Sequence, residues 1–198
     1  MSPRPDVSEE RKDQILDAAS EVFVEKGVHE ARMDDIVKES GLSKGTLYWY
    51  FKSKDEIVLS IFERMFSREF QELENLVDAD GTAAERLLLY TESFVDDVSR
   101  MLRLMPLAYE FMAWAFRRKF VQDAFKLYVN KYMDILVPLI QQGIDAGEFR
   151  DIDPRSTAIT FGAIFEGTIL IWVYDKTLVD MRKHIREGVM LLLEGLKA

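Results

Sequence analysis

Between residues 41 and 56 the chain reads GLSKGTLYWYFKSKDE, and this stretch concentrates the residue types suited to holding a nucleic acid. Lys44 can donate to guanine, Thr46 can hydrogen-bond a base or touch a thymine methyl, and Gly45 lets backbone approach closely. Tyr48 and Tyr50 can reach phosphate oxygens, contacts that position a protein without specifying sequence. Lys54 stands at the start of a helix, where amide N–H groups and a cation together attract phosphate. Tyr48, Trp49 and Tyr50 are consecutive and cannot all face inward on one helix, so at least one is exposed. Catalysis has no comparable constellation. The chain has two histidines, His29 and His184, in separate regions, and no cysteine. It shows no HExxH, phosphate-binding glycine loop or paired-carboxylate motif. The expectation is a non-enzyme with no metal site and no cofactor.

The elements around this stretch must place it. Asp34–Ser40 reads as a short helix, Gly41 as a tight turn, and Lys44–Phe51 as a second short helix with Ser43 as its N-cap. Two short helices joined by a glycine-containing turn form a helix-turn-helix, whose second helix lies in the DNA major groove. At 100° per residue Leu47 and Phe51 share a face that should pack on the first helix and Ile36, while Gly45, Thr46 and Trp49 face the groove. Upstream, a helix from about Glu9 to Lys26 carries Ile15, Ala18, Ala19, Val22 and Phe23 on one face and stops at Gly27. Downstream, Ser53 and Glu56 have capping-box spacing and open a helix to about Val77.

The rest is helical in spacing, with no alternating strand pattern. A turn at Asp78–Gly81 precedes a helix from Thr82 to about Arg100, and Met101–Pro106 is a break before another short helix. A long helix through 116–146 ends at Gly147, with Pro138 expected to kink it. Asp153-Pro154 starts a very apolar helix of about 155–175, and Thr177 with Asp180 starts the last, to Leu196. The fold class expected is all-α with about nine helices: a helix-turn-helix domain, 1–54, and a helical domain, 55–198.

Composition sets limits. The 198 residues are 48% apolar, enough for a sizeable core without staples. The opening MSPRPDVSEERKD has no apolar signal region, and the run Ala163–Tyr174, broken by Glu166, is short for a bilayer span. A cytoplasmic protein without membrane contact is expected. The net charge of −9 is unusual for a DNA binder, yet residues 40–54 carry three lysines and no acid. Attraction to phosphate is therefore local, and the acidic remainder limits non-specific binding.

RKDQILDAASEVFVEKG followed by MDDIVKESGLSKGTLYWYFKSKDEI resembles, in order and spacing, the N-terminal domain of the TetR family of transcriptional repressors. The resemblance implies groove-facing positions at Lys44, Gly45, Thr46 and Trp49, and phosphate contacts at Tyr48, Tyr50 and Lys54. It departs at Arg32, where the family commonly has serine or threonine as a helix cap; Arg32 could instead reach a phosphate. It also implies a small-molecule pocket and a dimer interface on the last two helices.

The residues speak to both. Ile185, Val189, Leu192, Leu193 and Leu196 form an apolar stripe on the last helix, the expected dimer interface. The helix before it is apolar almost all round, as if buried on two sides, and Gly162, Ala163 and Gly167 would allow close approach. For the pocket the candidates are Met65, Phe94, Met101, Met105, Phe111, Trp114, Phe125, Tyr128, Phe165, Glu166 and Trp172, with Met112, Phe116 and Phe161 of the same character. Glu166 among apolar neighbours would need a partner if buried, and Glu110 poses the same question. A lipophilic cation would suit aromatics with a carboxylate, and a fatty acyl compound suits the composition equally. The function expected is a dimeric repressor on a palindromic operator, released by a small lipophilic effector. The alternative is a DNA-binding helical dimer that is constitutive or controlled by a protein partner.

Overall fold

The computed structural model describes residues 7–198, apart from the side chains of 7, 68, 69, 99–101, 103 and 106. The described residues form nine α-helices: α1 (Val7–Glu30), α2 (Met33–Ser40), α3 (Lys44–Tyr50), α4 (Lys54–Val77), α5 (Ala83–Met101), α6 (Met105–Ala115), α7 (Lys119–Asp145), α8 (Pro154–Tyr174) and α9 (Met181–Leu196). A single 3-10 turn, Leu102–Leu104, fills the expected break before α6. The only extended pairing among these residues is an isolated bridge, Phe149 to Lys197. The all-α expectation holds.

Local chemistry explains the boundaries. Gly27 adopts φ 75°, ψ 154° and interrupts α1 where the sequence places its stop. Gly41, at φ 66°, ends α2 in the left-handed conformation that favours glycine. Ser43, Thr82 and Asp153 accept amide hydrogen bonds at the starts of α3, α5 and α8. α9 begins later than Thr177, because Asp180 itself caps it while the Thr177 hydroxyl turns back to Asp175. Pro138 sits inside α7, which is continuous through it.

Packing divides the chain into two compact units, one comprising residues up to 67 with 103–124, the other 68–102 with 125–198. A functional division at residue 54 would cut across the first. Ile57, Val58, Ile61 and Phe62 of α4 are buried, and Phe62 stacks on Phe111 of α6 at 4.8 Å. Glu110 of α6 accepts a hydrogen bond from the Val28 amide, 3.3 Å away, just past the Gly27 interruption. Its partner is thus a backbone N–H of its own unit.

In the second unit α5 and α8 both pack against α9. Tyr90, Phe94, Phe161 and Phe165 form an aromatic cluster with centroid spacings from 4.7 to 6.1 Å. Arg86, 7% exposed, donates to the terminal carbonyls of α4 at Leu76 and Val77. Glu148 accepts from the first amides of α5, Ala83 and Ala84, at 3.1 and 3.3 Å. Each satisfies groups that a helix end leaves open.

Gly143 packs its bare Cα against the buried Phe149 ring. A Cβ there would overlap that ring and lie 2.9 Å from the Ala83 methyl. Gly143→Ala should therefore cost about 1–3 kcal/mol by overpacking, seen as a lower thermal midpoint. Of the small residues expected to bring α8 close to a neighbour, Gly162 does so, since a Cβ there would lie 3.3 Å from the Tyr132 ring, whereas Gly167 has open space and Ala163 is exposed. The tight approach between α8 and α9 is at Gly188, whose Cβ would meet Ile164 at 2.8 Å.

Candidate nucleic-acid interface

α3 is seven residues long, and its inward face is the one the spacing predicts: Leu47 is 0% exposed and Phe51, its C-cap, 3%. They join Ile36, Ile15, Ala19 and Phe23 in one core. The opposite face is open. Trp49 is 68% exposed and Tyr48 37%, so two of the three aromatics face solvent. Tyr50 is half-buried; its ring meets Trp49 edge-on at 4.6 Å and its hydroxyl donates to Ser8 of α1 at 3.5 Å.

Ser43, Thr46, Lys44 and Lys54 already have internal tasks. Ser43 Oγ accepts the Thr46 amide at 3.0 Å and lies 2.8 Å from the Thr46 hydroxyl. Thr46 therefore still presents its methyl, while its hydroxyl is engaged. Lys44 Nζ is 2.6 Å from Asp34 Oδ1 and 5.9 Å from the centre of the Tyr48 ring. The hydrogen bond that Lys44 donates to Asp34 raises the lysine pKa above its ordinary value, so the ammonium stays charged. Lys52 donates to the Tyr48 and Trp49 carbonyls at 2.6 and 3.4 Å, closing the C-terminus of α3.

Lys54 has internal partners that the sequence did not indicate. Its ammonium donates to the His29 and Ala31 carbonyls, at 3.0 and 2.7 Å, at the C-terminal end of α1. An ammonium has three donors, so one remains for phosphate. The capping box is also shifted: Ser53 accepts the Glu56 amide at 3.2 Å, but Glu56 accepts the Lys52 amide at 2.6 Å.

Arg32 has extended φ/ψ (−116°, 155°) and occupies the N-cap of α2, with no acceptor to offer the helix amides. Asp35 supplies the reverse contact, accepting the Arg32 amide at 2.9 Å. Lys26 holds the same carboxylate at 2.8 Å, and its hydrogen bond is the main cause of the lowered Asp35 pKa. Arg32 itself is exposed. Arg32→Ser should stabilise the protein by about 1 kcal/mol, raising the melting temperature by roughly 2–4 °C; weaker DNA binding by the same variant would show that Arg32 reaches phosphate.

Residues 15–61 match the sequence model described as bacterial regulatory proteins, tetR family. An uncharacterized HTH-type transcriptional regulator, YfiR of Bacillus subtilis, is 32% identical over 174 residues, 81% of this chain and 80% of its own. The chain belongs to the TetR family of transcriptional regulators. Two solved structures agree along nearly the whole length. SmeT, the repressor of the Stenotrophomonas maltophilia multidrug efflux pump SmeDEF, superposes with a TM-score of 0.79 at 26% identity, covering 94% of this chain and 90% of its own. FadR from Bacillus subtilis, in complex with stearoyl-CoA, does so with a TM-score of 0.77 at 25% identity, covering 93% and 98%. Membership makes the chain a helix-turn-helix DNA-binding regulator and not an enzyme.

The second half departs from the sequence reading in two places. Ile185, Val189, Leu193 and Leu196 are at most 6% exposed and lie in the chain's own core, with Leu192 half-buried. They face inward because α9 packs that stripe on α5 and α8. The outward residues are Met190 at 43% and Leu191 at 76%. α8 likewise buries one face, Thr157, Ala158, Phe161, Phe165 and Ile169, and exposes Ile159, Leu170 and Ile171. It is not enclosed on two sides within one chain, and Glu166 lies on its exposed face rather than in the core. At 21 residues, with a mean hydropathy of 1.5 over its most apolar window, α8 is long and apolar enough to cross a membrane by length and composition, contrary to expectation.

The candidate pocket residues fall into separate groups. Phe111 adjoins Phe62 and Trp114 adjoins Phe111 in the first unit, where Met65 and Met105 are also buried. Phe94 and Phe165 join the Tyr90 cluster of the second, and Tyr128 stacks on Phe70 at 5.0 Å. Phe125, Met112 and Trp172 are half-buried, with Lys176 over the Trp172 ring at 4.8 Å. Phe116 is 91% exposed and lines no interior; the Met101 side chain lies outside the described residues.

Proposed function

We propose that this regulator is a repressor that binds a two-fold symmetric operator as a homodimer through α3 and is released by a small lipophilic effector, in the cytoplasm. The observation that carries the dimer is the outward apolar face of α8 and α9: Ile159, Leu170, Ile171, Met190 and Leu191. Large apolar side chains left exposed on two neighbouring helices mark an interaction surface, and two-fold pairing suits a palindrome read by two identical helices.

For the effector, an acyl compound is the better supported class. The case for a lipophilic cation rested on a buried carboxylate among aromatics, and Glu166 is exposed while Glu110 holds the Val28 amide. The likeness to FadR in complex with stearoyl-CoA points the same way. Release follows if the effector prefers a conformation whose two α3 helices are wrongly spaced for successive major grooves. α4, continuous from the lysine elbow at Lys54 to Val77, is the element suited to carry that shift.

Fluorescence anisotropy on a protein–operator complex tests this. Stearoyl-CoA should dissociate the complex at micromolar concentration, and a lipophilic cation should not. If neither changes operator affinity, the constitutive or partner-controlled alternative replaces the effector part of the proposal.

A further inference from the structure

Asp34 is an acid on a surface built for DNA. It lies in the first turn of α2, where the positive helix end stabilises a carboxylate. Its side chain is 70% exposed, and phosphates repel it. Lys44, 62% exposed, is the first residue of α3, where the same dipole disfavours a cation. At 2.6 Å apart, the two form a row of ammonium donors beside a carboxylate acceptor. Asp34 accepts one of the three ammonium hydrogens, which leaves Lys44 two donors and Asp34 a second oxygen.

That row has a complement in only one kind of base pair. Across the major groove G·C presents acceptor, acceptor, donor: guanine N7, guanine O6 and the cytosine N4 amino group. A·T presents acceptor, donor, acceptor, so adenine N6 would oppose the ammonium and thymine O4 would oppose the carboxylate. The geometry points to Lys44 and Asp34 acting as one unit that selects a G·C pair in each half-site, Lys44 donating to guanine and Asp34 accepting from cytosine. Asp34 is then a specificity-determining residue, excluding A·T by repulsion as much as by lost contact. The inference rests on α3 being the groove helix.

The test is selection from a random double-stranded DNA pool followed by sequencing, with wild type, Asp34→Ala, Asp34→Asn and Lys44→Ala run in parallel and each checked for an unchanged thermal midpoint. Wild type should prefer G·C over A·T by about tenfold at one position of each half-site. Asp34→Ala should bind DNA more tightly overall yet lose most of that preference. Asp34→Asn should move it towards A·T, since an amide pairs with adenine N6 and N7. If Asp34→Ala changes affinity for all sequences equally and every base preference survives, the pair is local charge compensation and the inference is overturned. If wild type itself enriches no sequence, the reading of α3 as a groove helix fails, and this inference with it.

Discussion

Trp49→Ala should weaken operator binding by about a hundredfold and leave thermal stability almost unchanged. The indole is 68% exposed in the free chain, so its removal uncovers little core; exposed substitutions typically move stability by no more than about 0.5 kcal/mol. In the complex it would be desolvated against the groove edge, and aromatic truncation at such a position costs more than about 1 kcal/mol. A symmetric dimer suffers the loss twice, and about 2.8 kcal/mol corresponds to a hundredfold in affinity. Anisotropy titrations beside melting curves separate the two effects. Unchanged operator affinity would mean that the open face of α3 does not face DNA.

A charge placed on the outward face of α8 and α9 should have a comparable or larger effect by another route. Ile171→Glu with Leu191→Glu alters residues 46% and 76% exposed, so the single chain should fold as before. In a two-fold dimer each carboxylate would be buried without a partner and next to its symmetry mate, which costs several kcal/mol per ion. The expected result in sedimentation equilibrium is a monomer near 23.0 kDa in place of a dimer. Operator affinity should fall at least a hundredfold, because the second half-site no longer binds at a tethered concentration. A variant that remains dimeric would assign the interface elsewhere.

α3 was legible because its signals are local. Ser43 caps within three residues, Gly41 supplies a positive φ, and the spacing of Leu47 and Phe51 sets the buried face. The aromatic triplet required at least one exposed ring, and helical spacing placed Trp49 on the outward side. The tasks of Lys44 and Lys54 were not legible, because their acceptors, a carboxylate and two carbonyls, are brought close only by folding. His29 and Ala31 are 25 and 23 residues from Lys54 along the chain. The rotation of α8 and α9 was hidden for a different reason. Both helices carry apolar residues on two faces, so periodicity marks Ile185, Val189, Leu193 and Leu196 as one stripe without saying whether the chain or a partner covers it. Glu166 was misplaced for the same reason, since apolar neighbours in sequence do not bury a residue that lies on the outward side of a helix.

The most direct test of the central claim is a salt series on the sequence recovered by wild-type protein from random duplex DNA. The account predicts a palindrome with half-site centres about 34–36 Å apart, with the logarithm of the binding constant falling linearly as the logarithm of salt rises. Recovery of no sequence, or binding indifferent to salt, would contradict it.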